Sequence, residues 1–280
     1  MKFANVLPSE PMTRNACLVA VLIASVLGAA PALAADNDPL ARARLLYNEH
    51  KWEASVAAAD QARANPSRAD SADLIAARAL LERFRESAGA MDLTNARERL
   101  RRVDPRRFGP RERLEYIVGL GETLYFDGSY GSAASVFDSV LAPASAVPAG
   151  ERERVLDWWA SALDRDARPR SEFDRQAVYQ RVRDRMYAEL ASVPNSSVAV
   201  YWLCAAARGQ GDLQGAWNAA QAGWVRAPLA GDGGDRLRLD LDLLVTSALI
   251  PERARVLGQP PAAIRAEWDR FKERWAADLP

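Results

Sequence analysis

The sequence predicts an all-α fold of stacked helical pairs, and three observations carry that expectation. First, a large apolar residue followed three positions later by a small or compact one recurs at Trp52/Ser55, Leu93/Ala96, Tyr130/Ala133, Phe173/Gln176 and Leu213/Ala216. The interval is about forty residues, enough for two helices per unit. Second, apolar residues between these points follow the helical period, and Pro39, Pro66, Pro105, Pro110, Pro148, Pro169, Pro194, Pro228 and Pro251 fall between or at the edges of the periodic segments. Third, the one stretch that alternates with period two, Arg236 to Leu243, finds no partner strand, while Leu237, Leu241, Leu244 and Ala248 form a helical face. A strand without a partner leaves its backbone unpaired, so helix is expected there as well.

Taken in order, residues 1–34 read as a secretory signal. Arg14 precedes an apolar run from Ala16 to Ala30, and Ala32 and Ala34 supply small residues for cleavage after Ala34. The run is short of the roughly 20 residues that span a bilayer. An uncleaved anchor is the alternative, and Met12 is a second candidate start. The chain is expected to be exported, to the periplasm or beyond, with no transmembrane segment once the signal is removed. Residues 35–235 form the repeats and residues 236–280 the capping helices.

Within the repeats, the first unit runs through Trp52-Glu53-Ala54-Ser55 to Pro66, and the second spans Ser71 to Val103 with a long turn at Ser87–Thr94. The third reads Ile117-x2-Leu120-Gly121-x2-Leu124, then Gly128-Ser129-Tyr130-x2-Ala133-x3-Phe137. In the fourth, Leu156-x2-Trp159-Ala160-x2-Leu163 makes a first helix, Arg165 to Arg170 a charged loop, and Ser171 to Ala191 a second helix. The fifth reads Val200-x2-Leu203-Cys204-x2-Ala207, then Gly211-Asp212-Leu213-x2-Ala216-x3-Ala220, closed by Pro228. Gly128 and Gly211 stand where a left-handed residue ends a helix, and Ser71, Ser171 and Ser197 are candidate N-caps. Gly231 to Asp235 reads as a flexible inter-helix loop, with Asp232 and Asp235 as weak candidates for calcium. Ile264, Trp268, Phe271 and Trp275 line one face of a last helix over Ala262 to Ala277, expected to cover the final open apolar face.

The third and fifth units resemble the tetratricopeptide repeat, in which a large residue, Leu-Gly, an aromatic, then Ala, Phe and Pro recur at set offsets. The resemblance implies a right-handed α–α superhelix whose first helices line a concave groove that holds a peptide or protein partner. Mapped onto this chain, the groove set is Glu115, Val118, Glu122 and Tyr125, then Arg154, Asp157 and Ser161, then Val198, Tyr201 and Arg208.

The side-chain inventory points away from chemistry. Lys and Arg together number 37, as do Asp and Glu, so no net charge draws the chain toward nucleic acid. His50, in a polar turn, and Cys204, in a small-residue packing slot, offer no nucleophile–base pair. Two residues cannot supply a zinc site, and no cofactor motif is present. Carboxylates are scattered among arginines, as in Glu151/Arg154, without a motif that singles out an acid pair. Locally, Arg97, Arg99, Arg101, Arg102, Arg106, Arg107, Arg111 and Arg113 outnumber Glu98, Asp104 and Glu112. That run is either a solvated helix end or an anion patch, with Arg97, Arg101, Arg102, Arg106 and Arg107 as its candidates. Trp52, Trp159 and Trp217 fall at packing positions; Trp158 and Trp202 are expected to point away. The leading expectation is a non-enzymatic scaffold. The alternatives are an envelope polymer-binding protein or hydrolase on a helical frame, and self-assembly through Trp268 and Trp275.

Overall fold

The computed structural model describes residues 38–142 and 147–276, so the signal segment lies outside the described residues. Among them there is no strand. The helices are α1 (Pro39–Asn48), α2 (Trp52–Arg63), α3 (Ala69–Ser87), α4 (Ala90–Arg102), α5 (Pro110–Phe126), α6 (Tyr130–Val140) and α7 (Ala149–Ala167). They continue as α8 (Glu172–Ser192), α9 (Ser197–Gly209), α10 (Leu213–Arg226), α11 (Gly234–Leu244), α12 (Ile250–Leu257) and α13 (Pro261–Ala276). Single 3-10 segments occupy Pro105–Arg107 and Ala227–Gly233. No described helix is long and apolar enough to cross a membrane.

The chain divides into two compact units, one ending at Gly119 and one beginning at Leu120, inside α5. Each unit repeats one scheme of neighbours. In the first, α1 packs on α2, α2 on α3 and α3 on α4, while α1 also touches α3. In the second, α6 packs on α7, α7 on α8, α8 on α9, α9 on α10 and α10 on α11, while α7 touches α9 and α9 touches α11. Within each unit, first helices therefore contact first helices, and the helices just named pack on their neighbours in sequence.

Three hairpins share a register that explains this. Ala43 and Ser55, Gly121 and Ala133, and Cys204 and Ala216 are buried pairs of small residues at the same separation. Such pairs let two helices close together. The Ser55 hydroxyl donates to the Ala43 carbonyl at 2.9 Å and the Cys204 thiol to the Ala216 carbonyl at 3.3 Å. A left-handed residue follows at the same offset each time: His50 (φ 58), Gly128 (φ 78) and Gly211 (φ 81). The next amide then reaches back five residues, Lys51 to Leu46, Ser129 to Leu124 and Asp212 to Ala207, at 2.9, 2.9 and 3.0 Å. This is the Schellman closure, which satisfies carbonyls a helix end leaves free.

Several expectations need correction. The second unit turns at Ala88 (φ 54), and α4 starts at Ala90, so Thr94 lies within a helix and no long turn spans 87–94. Ser71 is inside α3 and donates its hydroxyl to Glu112 at 2.6 Å, so it caps nothing. The cap of α9 is Ser196, which accepts from the Ala199 amide at 3.1 Å; Ser171 caps α8 as expected. Phe173 is 83% exposed, because α8 packs through Tyr179, Val182 and Met186. Arg165 lies within α7, so the loop before α8 starts only after Ala167.

Over Gly231 to Asp235, where a flexible loop was expected, the path is helical apart from Gly231. Residues 227–233 form a 3-10 segment with Gly231 at φ 56, and a side chain on Gly234 would meet the Ala227 carbonyl at 2.3 Å. The 235/236 boundary therefore falls in the first turn of α11. Pro251 also breaks nothing: Val245–Leu249 forms a π turn that carries α11 into α12. Widening the ladder there accommodates the proline's missing donor. On this rod Leu237, Leu241, Val245 and Leu249 are buried, and α13 covers them with Ile264, Trp268 and Phe271. Trp268 meets Trp217 and Trp224 edge-on, each at 5.6 Å, and its indole donates to Asp242 at 2.8 Å.

Candidate functional site

In the first unit, much of the candidate anion patch is answered by carboxylates on the same helix, in the adjoining turn or on a neighbouring helix. Arg106 forms a two-point pair with Asp104 at 2.9 and 3.1 Å, Arg107 reaches Asp70 at 3.2 Å, and Arg102 reaches Glu98 at 3.5 Å. Arg99 bridges Asp60 and Asp73 at 2.5 and 2.8 Å. Arg101 is exposed and Arg97 half-buried on α4. Pairing on this scale discharges most of the positive field that the linear sequence suggested. Of the groove set, Glu115 is held by Arg78 at 2.9 Å and Arg111 at 3.1 Å. Val118 is buried and belongs to the packing, which corrects its assignment to an open face.

The second unit brings more of the set together. On α5, Glu122 is half-buried, and the Tyr125 hydroxyl shares a hydrogen bond with Ser161 at 2.9 Å while accepting from Arg165 at 2.8 Å. Tyr125 meets Trp158 edge-on at 4.8 Å and Tyr130 at 5.2 Å, and the Arg165 guanidinium lies over both tyrosine rings. That cluster is a finished cation–π contact within the chain.

The face formed by α7, α9 and α11 is different in kind. Arg154 pairs with Glu151, and Arg208 makes a two-point pair with Glu252 at 2.9 and 2.6 Å. Asp240 pairs with Arg236 at 2.9 Å. The Val198 amide donates to Glu153 at 3.3 Å. Among the described residues Asp157 has no cationic partner; its carboxylate accepts from the Trp202 indole at 2.8 Å. This bond also corrects the expectation for Trp202, which is buried and not turned outward.

Asp157 is solvent-exposed by area, yet desolvation still dominates its titration. Burial raises its carboxyl above the ordinary carboxylate value, the nearby charge of Asp240 adds to the rise, and the Trp202 bond opposes it. Tyr201, beside it, is pushed up to about 12 by burial and by the charges of Asp240 and Asp157. Tyr201 and Trp202 form an aromatic corner, with ring centroids at 5.5 Å and planes at 86°.

Two contributors escaped the sequence reading. Asp240 was assigned to a capping segment, but α11 packs on α9 as another first helix would, and this brings Asp240 to Asp157 and Tyr201. Leu239 and Leu243, one turn apart on α11, are 67% and 64% exposed. The period-two alternation at 236–243 held that signal: once the segment is a helix, alternate leucines cannot all face inward.

Reactive groups are poorly placed. Burial pushes the Cys204 thiol up to about 12, far from a working thiolate. His50 is exposed, its ring edge-on to Trp52 at 5.0 Å. Among the described residues, no group of three or more His, Cys, Asp or Glu is arranged to hold a metal ion; the Asp232 side chain lies outside the description. No protein-family model, curated protein or solved structure matches the chain.

Proposed function

We propose that this chain is a non-catalytic scaffold of tetratricopeptide-like type, exported to the cell envelope, which binds a protein or peptide partner along a face built by its first helices. The observation that carries the reading is the α7–α9–α11 face. First helices contact one another there; Asp157 on α7 and Leu239 and Leu243 on α11 are exposed, and Tyr201 on α9, packed on the core by one side, stays half-exposed. Helical repeats bury apolar surface by stacking, and stacking leaves an extended face for a partner. The inert Cys204 thiol and the shared hairpin register at Ala43, Gly121 and Cys204 support the same reading.

A second reading, a polymer hydrolase on the same frame, takes its support from one observation: the raised Asp157 carboxyl lies within reach of the Asp240 charge. A raised carboxyl near a second carboxylate is how general-acid pairs are made. Purification from an envelope extract separates the two. The scaffold reading expects a discrete protein that co-purifies with the wild-type chain and is lost with Tyr201→Ala. Cleavage of an envelope polymer that disappears with Asp157→Asn overturns it.

A further inference from the structure

We infer that the α7–α9–α11 face seats a basic, partly apolar segment of its partner, with a lysine or arginine side chain of that segment placed on Asp157 against Tyr201. The inference rests on reading this face as the partner surface, and it adds the partner's chemistry.

Charge accounting gives the sign. Arg154, Arg208 and Arg236 each have a carboxylate partner within the chain: Glu151, Glu252 and Asp240. Arg165, two turns further along α7, bonds the Tyr125 hydroxyl and lies over the Tyr125 and Tyr130 rings, and Arg238 on α11 lies over Trp224, so these described cations are already engaged within the chain. Asp157 is the carboxylate left with only an indole N–H, and it lies close enough to Asp240 to feel its charge. A partly desolvated carboxylate near a like charge is unfavourable by itself, and both penalties fall when a cation arrives. Its upward-shifted titration has the same origin.

The surroundings define the rest of the ligand. The half-exposed Tyr201 ring beside Asp157 offers a π face to a guanidinium or ammonium. Leu239 and Leu243 lie together to one side of Asp240 on α11 and are among the most exposed large apolar residues described. Two exposed leucines one turn apart accept an apolar ridge, the way grooves take an amphipathic helix. Carboxylate, aromatic ring and leucines on adjoining helices thus match a segment with apolar residues on one stripe and a basic residue at its border.

The test uses two fluorescein-labelled peptides of one helical pattern, one built from leucine and lysine and the other with glutamate replacing every lysine. Each is titrated into the full chain by fluorescence anisotropy, at two salt concentrations. The lysine peptide should bind and the glutamate peptide should not. Asp157→Asn should weaken the lysine peptide about tenfold or more, whereas Glu86→Gln, an exposed carboxylate in the first unit, should leave it unchanged. Asparagine can still accept from Trp202, and thermal unfolding of the variant checks that it folds. Equal binding of both peptides, or lysine-peptide binding indifferent to Asp157→Asn, overturns the inference. If neither peptide binds while a natural partner still depends on Tyr201, the chemistry assigned here is wrong and the scaffold reading stands. If the natural partner is also indifferent to Tyr201→Ala, both fall.

Discussion

Gly121→Ala tests the hairpin register quantitatively. In an open helix the substitution stabilises by about 1 kcal/mol, because alanine loses less backbone freedom on folding. Here the new Cβ would stand 2.4, 2.7 and 2.9 Å from three atoms of the Phe137 ring, and Phe137 is fully buried. With no exposed route for the ring to retreat, α5 and α6 must separate or Phe137 must leave its rotamer. Overpacking of that kind costs about 1–3 kcal/mol. Subtracting the propensity gain leaves a net destabilisation of about 0–2 kcal/mol, which stands about 1–3 kcal/mol below an open-site alanine. Urea denaturation followed by circular dichroism reads this directly. Gly150→Ala, at a helical site with nothing within 4 Å, is the matched control and should be neutral or slightly stabilising. Combining Gly121→Ala with Phe137→Leu should recover part of the loss. If Gly121→Ala proves as stable as the control, the two helices do not close through this contact and the packing argument fails.

Asp157→Asn should stabilise the fold while it weakens binding. The folded-state carboxyl titrates above its unfolded value, so the folded state holds the extra proton and stability falls as pH rises between the two values. Asparagine removes that slope, so the variant should be slightly more stable at neutral pH, the gain being small because Asp157 keeps contact with water. A stability difference that grows on acidification would contradict this. In a Cys17→Ser background, Cys204 should resist alkylation at pH 8 in the native state and react fully in denaturant; rapid native labelling would show that it is not buried. Gly128→Ala and Gly211→Ala, at left-handed turns, should each cost about 1 kcal/mol. His50→Gly should gain a few tenths by the same logic, measurable by thermal shift.

The units around Gly121 and Cys204 were legible because glycine marks their turns and small residues mark their contacts. The first unit uses the same turn, but His50 supplies the left-handed residue, and histidine carries no such signal in a sequence. Phe173 misled for the opposite reason: its size suggested a core position, while α8 places it outside the Tyr179–Met186 stripe. The arginine run was counted along the chain, where Asp60, Asp70 and Asp73 are far away; packing of α2, α3 and α4 brings them to the guanidiniums. For the candidate site, Tyr201, Arg208 and Asp157 came from the repeat register. Asp240 could not, because nothing in the period-two leucine pattern says which helix α11 will touch.

Placing a photo-reactive amino acid at position 201 on α9, and separately at exposed position 187 on α8, tests the partner face most directly. With the full chain in its native cells, a protein adduct should form through position 201, fade when Asp157→Asn is added, and be absent through position 187. An adduct through position 187 alone would place the partner elsewhere and contradict the account.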